Sequence, residues 1–317
     1  MAFIDLSAVR TIGVIGAGTI GSSWTAWFLA KGLSVRLTDP VASAPDSVRG
    51  YVREAWTALT RLGITREPLD AALARLSFHG TAADAATGAD FIQENAPERA
   101  PIKRAVLAEI DSVLPGDRVI ASSTSGFGVT EMQAEMRHPE RLVVGHPFNP
   151  PHLIPLVEVV GGGATSEEAV QWAISFYNHI GKRAIHVRKE VPGHIANRLQ
   201  VALWREALHL VATGVGSVDD VDAAIAHGPG LRWAAMGPHL TFHLAGGRGG
   251  MAHFFDHLGP AIERWWADLG TVEITPELRD QMVRGVNDEI GTRSFEDLVA
   301  ERDEKLLGVL AAVTPKL

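Results

Sequence analysis

Four polar residues, Ser125, His146, Glu158 and Asn197, have the types and spacing to do proton chemistry. His146 directly follows Leu142-Val-Val-Gly145, a short apolar run that reads as a strand. The imidazole is therefore expected at a strand's carboxyl end, where ligands bind in open α/β sheets. Glu158 comes twelve residues later, inside Leu156-Val-Glu-Val-Val160. A carboxylate among aliphatic side chains is costly unless it has a partner, and a histidine is the natural one. A glutamate that accepts from Nδ1–H fixes the tautomer and leaves Nε2 free as a base. A purely structural His–Glu pair would satisfy the same spacing.

Such a group needs a scaffold, and residues 11–39 supply the clearest part of it. Ile12 to Ile15 reads as a buried strand, and Gly16, Gly18 and Gly21 follow at G-x-G-x-x-G spacing. Trp24, Trp27, Phe28 and Leu29 then recur at helical spacing, and a second strand, Ser34 to Thr38, ends at Asp39. This is the order of a βαβ dinucleotide site. Gly16 permits the tight turn, Gly18 lets a pyrophosphate approach the backbone, and Gly21 lets the helix pack closely. The helix opening at Thr19 and Ile20 offers free N–H groups to the phosphates. Asp39 can accept from the adenosine ribose hydroxyls and would repel a 2′-phosphate, so the expected cofactor is NAD rather than NADP.

Further strands are expected at Phe91–Glu94, Val119–Ser122, Leu142–Gly145, Leu156–Val160 and Ala184–Val187. Helices are expected at Pro101–Ser112 and Ser166–Gly181, and two or three more within Asp46–Leu76. The alternation predicts an α/β fold, a Rossmann-type doubly wound sheet. After Lys189 almost every segment reads as helix: Ile195–Thr213, Val218–His227, Leu240–Leu244, Met251–Ala267, Pro276–Ile290 and Ser294–Ala312. Val191-Pro192-Gly193 is a plausible hinge. Two domains follow, 1–190 with the dinucleotide site and an all-helical 191–317.

Of the 317 residues 46% are hydrophobic, enough for two cores, and the formal net charge of −8 argues against nucleic acid or an anionic membrane as partner. No run approaches the roughly 18 apolar residues of a membrane helix. Cysteine is absent, which excludes disulfides and thiolate metal sites. Residues 1–10 carry no basic segment followed by an apolar one, so no signal peptide is read, and a cytoplasmic protein is expected. His239/His243 and His253/His257 have an i,i+4 spacing that can bind zinc, but the chemistry needs no metal and none is expected.

In combination, several stretches make the chain recognisable. They are Gly13-Val-Ile-Gly-Ala-Gly-Thr-Ile-Gly21, Ser122-Ser-Thr-Ser125, Gly145-His-Pro-Phe-Asn-Pro150, Pro155-Leu-Val-Glu-Val-Val160 and Pro192-Gly-His-Ile-Ala-Asn-Arg198. Over nearly its whole length the chain resembles the L-3-hydroxyacyl-CoA dehydrogenase superfamily. The resemblance implies that His146 is the catalytic base, that Glu158 orients it, and that Ser125 and Asn197 hold the substrate oxygen and the base. It also implies cofactor contacts from Glu98 and Lys103, and a homodimer formed through the helical domain. The chain departs from the common pattern at Ser123, where Asn is usual, and at Pro147, where Phe is usual.

Within the superfamily the chain is most similar to the carnitine-oxidising branch, on His146–Val160, Gly228–Leu244 and Gly246–Phe255. The expected reaction is NAD-dependent oxidation of the 3-hydroxyl of L-carnitine. An L-gulonate-type dehydrogenase, a hydroxyacyl-CoA dehydrogenase and a non-catalytic lens-crystallin-like protein are the alternatives. An acyl-CoA carries several phosphates and calls for cations. Asp46–Asp84 holds five Arg (49, 53, 61, 66, 75), no Lys and five acids (46, 54, 67, 70, 84). Its net charge is zero, which weakens the CoA alternative. A trimethylammonium group is instead bound by aromatic faces. Trp233 is the expected face, because it sits beside Arg232 in a Gly- and Pro-flanked segment that does not read as a regular helix.

Overall fold

The computed structural model describes residues 2–313. Met1 and residues 314–317, the outer ends of the two expected domains, lie outside the described residues. The chain divides into two compact units, Met1–Arg198 and Leu199–Leu317. The division falls later than the expected hinge at 191–193, because the segment after Pro192 is bonded into the first unit. Ile195 and Ala196 donate backbone N–H bonds to Glu158, and His194 meets the Thr124 carbonyl.

The first unit is built on one sheet of eight strands. In chain order these are β1 (Thr11–Ile15), β2 (Ser34–Thr38), β3 (Leu76–His79), β4 (Phe91–Glu94), β5 (Ile120–Ser122), β6 (Leu142–Pro147), β7 (Leu156–Gly161) and β8 (Arg183–Val187). Their spatial order is β3-β2-β1-β4-β5-β6-β7-β8. All neighbours pair in parallel except β6 and β7, which run antiparallel. Strand β3 was not expected from the sequence. It is an edge strand with the polar residues Ser77 and His79, so it lacks the apolar run that marks the buried strands.

Among the described residues the helices lying wholly within this unit are α1 (Thr19–Ala30), α2 (Ala44–Arg61), α3 (Leu69–Leu73), α4 (Ala82–Ala86), α5 (Ala100–Val113), α6 (Val129–Met132) and α7 (Glu167–His179). They cover two separate cores. One joins α1, α2 and α7 to the sheet through Trp24, Phe28, Leu59, Phe91 and Phe176. The other joins α4, α5 and α6 through Ala85, Leu107, Ile110 and Met132. Helix α1 is apolar nearly all round, and every residue from Gly21 to Ala30 is buried, as a helix between a sheet and another helix must be.

Helix α8 (Ala196–Ala212) leads into the second unit, which continues with α9 (Val218–Ala226), α10 (Pro229–Ala235), α11 (Pro238–Ala245), α12 (Gly250–Asp268), α13 (Pro276–Ile290) and α14 (Phe295–Val313). Ser217 and Asp220 close α9 with a reciprocal capping box. The segment Gly228–Gly237 is not irregular as expected. Pro229, with its φ preset for the first helical turn, opens α10, and Trp233 lies on that short helix, 38% exposed. Glycine and proline punctuate two consecutive helices here rather than a loop.

Candidate active site

The glycine-rich turn between β1 and α1 has the shape a dinucleotide needs. Gly16 has φ +98, a left-handed value, and a Cβ there would come within 2.6 Å of the Asn95 carbonyl oxygen. A Cβ on Gly21 would fall on the Gly16 carbonyl, so the helix can start this close only without a side chain. Gly18 differs: among the described residues nothing lies within 4 Å of where its Cβ would be. The fold does not demand glycine there, but a group lying against the backbone would. Gly18 is also the N-cap of α1 and makes no side-chain cap bond, so the N–H groups of Thr19 and Ile20 at the first turn have no intrahelical acceptor.

Asp39 stands beside this turn. Its Oδ2 accepts from Ala17 N at 2.7 Å and its Oδ1 from Val41 N at 2.9 Å. Two bonds leave lone pairs on both oxygens for ribose hydroxyls. The carboxylate therefore shapes the glycine-rich loop.

Glu98 and Lys103, the two residues expected at the cofactor, are brought together. Lys103 is 1% exposed, with Nζ 3.0 Å from Glu94 Oε1, 3.1 Å from the Ala96 carbonyl and 3.3 Å from Glu98 Oε2. These acceptors use its three donors and make it a buried strut between β4 and the segment that follows it. Glu94 was missed in the sequence. It is fully buried on β4 and also accepts from Ala96 N and the Ser122 hydroxyl. Two polar residues, Gln93 and Glu94, in a strand buried throughout were the available signal. Glu98 Oε1 gathers the Thr124 hydroxyl, Ser125 N at 3.1 Å and Gly126 N at 2.9 Å. Burial raises the Glu98 carboxyl, but Thr124, Lys103 and the Gly126 N–H outweigh it and hold it below the ordinary range.

Ser123 carries a second network. It donates to Asn95 Oδ1 at 2.7 Å and accepts from Gln93 Nε2 at 2.9 Å, while Gln93 Oε1 accepts from the Tyr177 hydroxyl at 2.6 Å. The serine in place of the usual asparagine is thus fully used. Ser125 itself is exposed and lines a pocket of about 160 Å³ with Gly126, Glu190, Pro192 and His194.

His146 lies within β6, one residue before its end, rather than just beyond it. It pairs in register with Glu158 on β7, so both side chains stand on one face of the sheet. His146 Nδ1 is 2.9 Å from Glu158 Oε2, and both side chains are buried. Burial raises the Glu158 carboxyl, but the bonds from His146, Ala196 N and Ile195 N outweigh it and keep it below its ordinary value. An ionised carboxylate only accepts, so Nδ1 donates, and in the neutral ring the lone pair is on Nε2. Asn197 follows Ala196 in the first turn of α8, next to the N–H groups held by Glu158.

A glycine turn able to hold a pyrophosphate and an imidazole oriented by a buried carboxylate stand on one sheet. Residues 11–191 match the family described as 3-hydroxyacyl-CoA dehydrogenase, NAD binding domain, and residues 193–272 match its C-terminal domain.

The chain belongs to the 3-hydroxyacyl-CoA dehydrogenase family.

Its cofactor is NAD, and it is an NAD-dependent dehydrogenase. The chain is 51% identical over 306 residues to L-carnitine dehydrogenase of Nocardiopsis dassonvillei, covering 96% of this chain and 92% of the relative. It is 52% identical over 304 residues to L-carnitine dehydrogenase of Streptomyces coelicolor, covering 96% and 95%. Among solved structures, it is similar to 5-formyl-3-hydroxy-2-methylpyridine 4-carboxylic acid 5-dehydrogenase, an NAD+ dependent dismutase. The TM-score is 0.83 at 30% identity, over 98% of this chain and all of that one.

Proposed function

We propose that this dehydrogenase oxidises the 3-hydroxyl of L-carnitine to 3-dehydrocarnitine. The observation that carries the chemistry is the bond from His146 Nδ1 to an ionised, buried Glu158. Full-length similarity to L-carnitine dehydrogenases supports the substrate. Bound NAD supplies the hydride acceptor. Neutral His146 takes the hydroxyl proton at Nε2, and Glu158 balances the imidazolium that forms. Ser125 and Asn197 hydrogen-bond the reacting oxygen. Gly16, Gly18, Thr19, Ile20 and Gly21 receive the pyrophosphate, and Asp39 the adenosine ribose. Glu98 holds the loop of Ser125, with Lys103 behind it.

Trp233 offers an aromatic face to the trimethylammonium group. The weak case for a CoA substrate is weakened further because Arg75, one of the five arginines between residues 46 and 84, is already paired with Glu67. The proposal extends to a cytoplasmic homodimer. Exposed Phe255, Trp265 and Trp266 on α12 support self-association through the helical unit. No helix among the described residues is long and apolar enough to cross a membrane.

Following NADH absorbance with L-carnitine, in wild type and in His146→Gln, tests the reading. Turnover that survives in the variant would overturn the base assignment.

A further inference from the structure

His194 lies in the Pro192–Asn197 segment, directly before the two residues whose N–H groups bind Glu158. Its side chain is 5% exposed. Its Nε2 lies 3.3 Å from the Thr124 carbonyl oxygen. A carbonyl only accepts, so Nε2 carries the hydrogen, and the neutral ring has a bare Nδ1. That Nδ1 is buried with no hydrogen-bond partner among the described residues. The ring centroid is 5.0 Å from that of His146.

The backbone at His194 is left-handed, φ 50, directly after Gly193 at φ 75. Few residues other than glycine hold such a value unless their surroundings fix it. The two left-handed residues turn the chain so that the next two N–H groups both reach Glu158 Oε1, at 2.8 and 2.9 Å. His194 thus joins three parts of the site: the loop that carries Ser125, the base, and the carboxylate behind it.

We propose that His194 is a positioning residue for the dehydrogenase reaction, which ties the Ser125 loop to His146 and limits the two histidines to one positive charge. The inference rests on His146 being the base. The charged or titratable groups facing His194 are His146 from β6, Glu158 from β7 and Glu98 from the segment after β4. Glu190 lines the same pocket. A second proton would set two imidazoliums 5.0 Å apart and leave a buried N–H donor without an acceptor. Burial first, and the neighbouring His146 as well, hold His194 below its ordinary range against the opposing pull of Thr124, Glu158 and Glu98. His194 therefore stays neutral while His146 gains and loses its proton.

The test has two arms. In the first, His194→Phe keeps a ring but loses the bond to Thr124. Its kcat for NADH formation should fall roughly tenfold, the worth of one hydrogen bond, with the KM for NAD little changed. His194→Gln, which can still donate to Thr124, should recover most of the loss. The second arm needs no His194 variant. Nitrogen-15 NMR of the histidine rings in the wild-type protein should show His194 as the Nε2–H tautomer, titrating below the ordinary value of about 6.5. In His146→Gln that titration should move upward by roughly one pH unit, because a like charge is gone. His194→Phe with wild-type kcat, or a His194 that titrates identically in both proteins, would overturn the proposal. Persistent turnover in His146→Gln would overturn the base assignment instead, a result read separately from the His194 titration.

Discussion

Glu158 stands directly opposite His146 across the one antiparallel pair of the sheet, and strand register holds its carboxylate 2.9 Å from the imidazole. A slip of one residue between β6 and β7 would carry Glu158 to the other face. Glu158→Gln should keep acceptors for Ile195 and Ala196 but leave the imidazolium without a counter-charge. Turnover should fall by roughly 10²–10⁴-fold while the protein remains folded at the assay temperature. Steady-state kinetics beside a thermal melt separate the two effects, and a near-normal kcat would count against Glu158.

The same carboxylate makes stability depend on pH. Its folded value is depressed below the ordinary 4.5, so the stabilisation it gives is complete above that value. It is lost as pH falls through the lower, folded value. Chemical denaturation of wild type and Glu158→Gln should give curves that converge in acid and separate above 4.5. Parallel curves across that window would show that Glu158 is not held ionised by its partners.

Cofactor preference should depend on Asp39. Wild type should favour NAD over NADP, and Asp39→Ala should relax the preference, because each lost bond to a charged acceptor costs about 1.5–3 kcal/mol. The bond from Ala17 N adds a further expectation: the KM for NAD itself should rise as the glycine turn loosens. Comparable wild-type kcat/KM with both cofactors would remove the assignment.

Lys103 is expected to matter for folding more than for contact with NAD. Lys103→Met would leave Glu94, which is fully buried, without its cation. Breaking a buried pair in this way costs about 3–5 kcal/mol. The double variant Lys103→Met, Glu94→Gln should regain part of the lost melting temperature. A Lys103→Met protein as stable as wild type, but with a raised KM for NAD, would show that contact with NAD is its main role.

Substrate choice should register at Trp233. A cation–π contact is worth about 0.5–2 kcal/mol according to exposure, so Trp233→Ala should raise the KM for carnitine roughly two- to thirtyfold. An analogue with tert-butyl in place of trimethylammonium should lose less. Equal losses for the two compounds would make Trp233 a packing residue.

Much of this architecture could be read from the residues because it rests on local signals. Strand β1, the glycine turn, α1 and β2 up to Asp39 form one continuous pattern, and the strand at Phe91–Glu94 was expected with the bounds it has. Features set by neighbours distant in sequence were less legible. The antiparallel pairing of β6 and β7 leaves no trace in apolar periodicity, although the twelve-residue spacing of His146 and Glu158 follows from it. Strand β3 is short, polar and at an edge. Glu94 obeys the same rule that singled out Glu158, a carboxylate inside an apolar strand, but its partner Lys103 lies on a helix. At Gly228–Gly237, proline at the first helical position starts α10 where the glycines suggested a loop.

The substrate is the central claim, and one comparison tests it most directly. NADH formation is followed with L-carnitine, L-gulonate and 3-hydroxybutyryl-CoA at matched concentrations. The account predicts a kcat/KM for L-carnitine at least about tenfold above either competitor, the discrimination a cation–π contact of about 1.4 kcal/mol would give. A higher kcat/KM with the gulonate or the CoA thioester would contradict it.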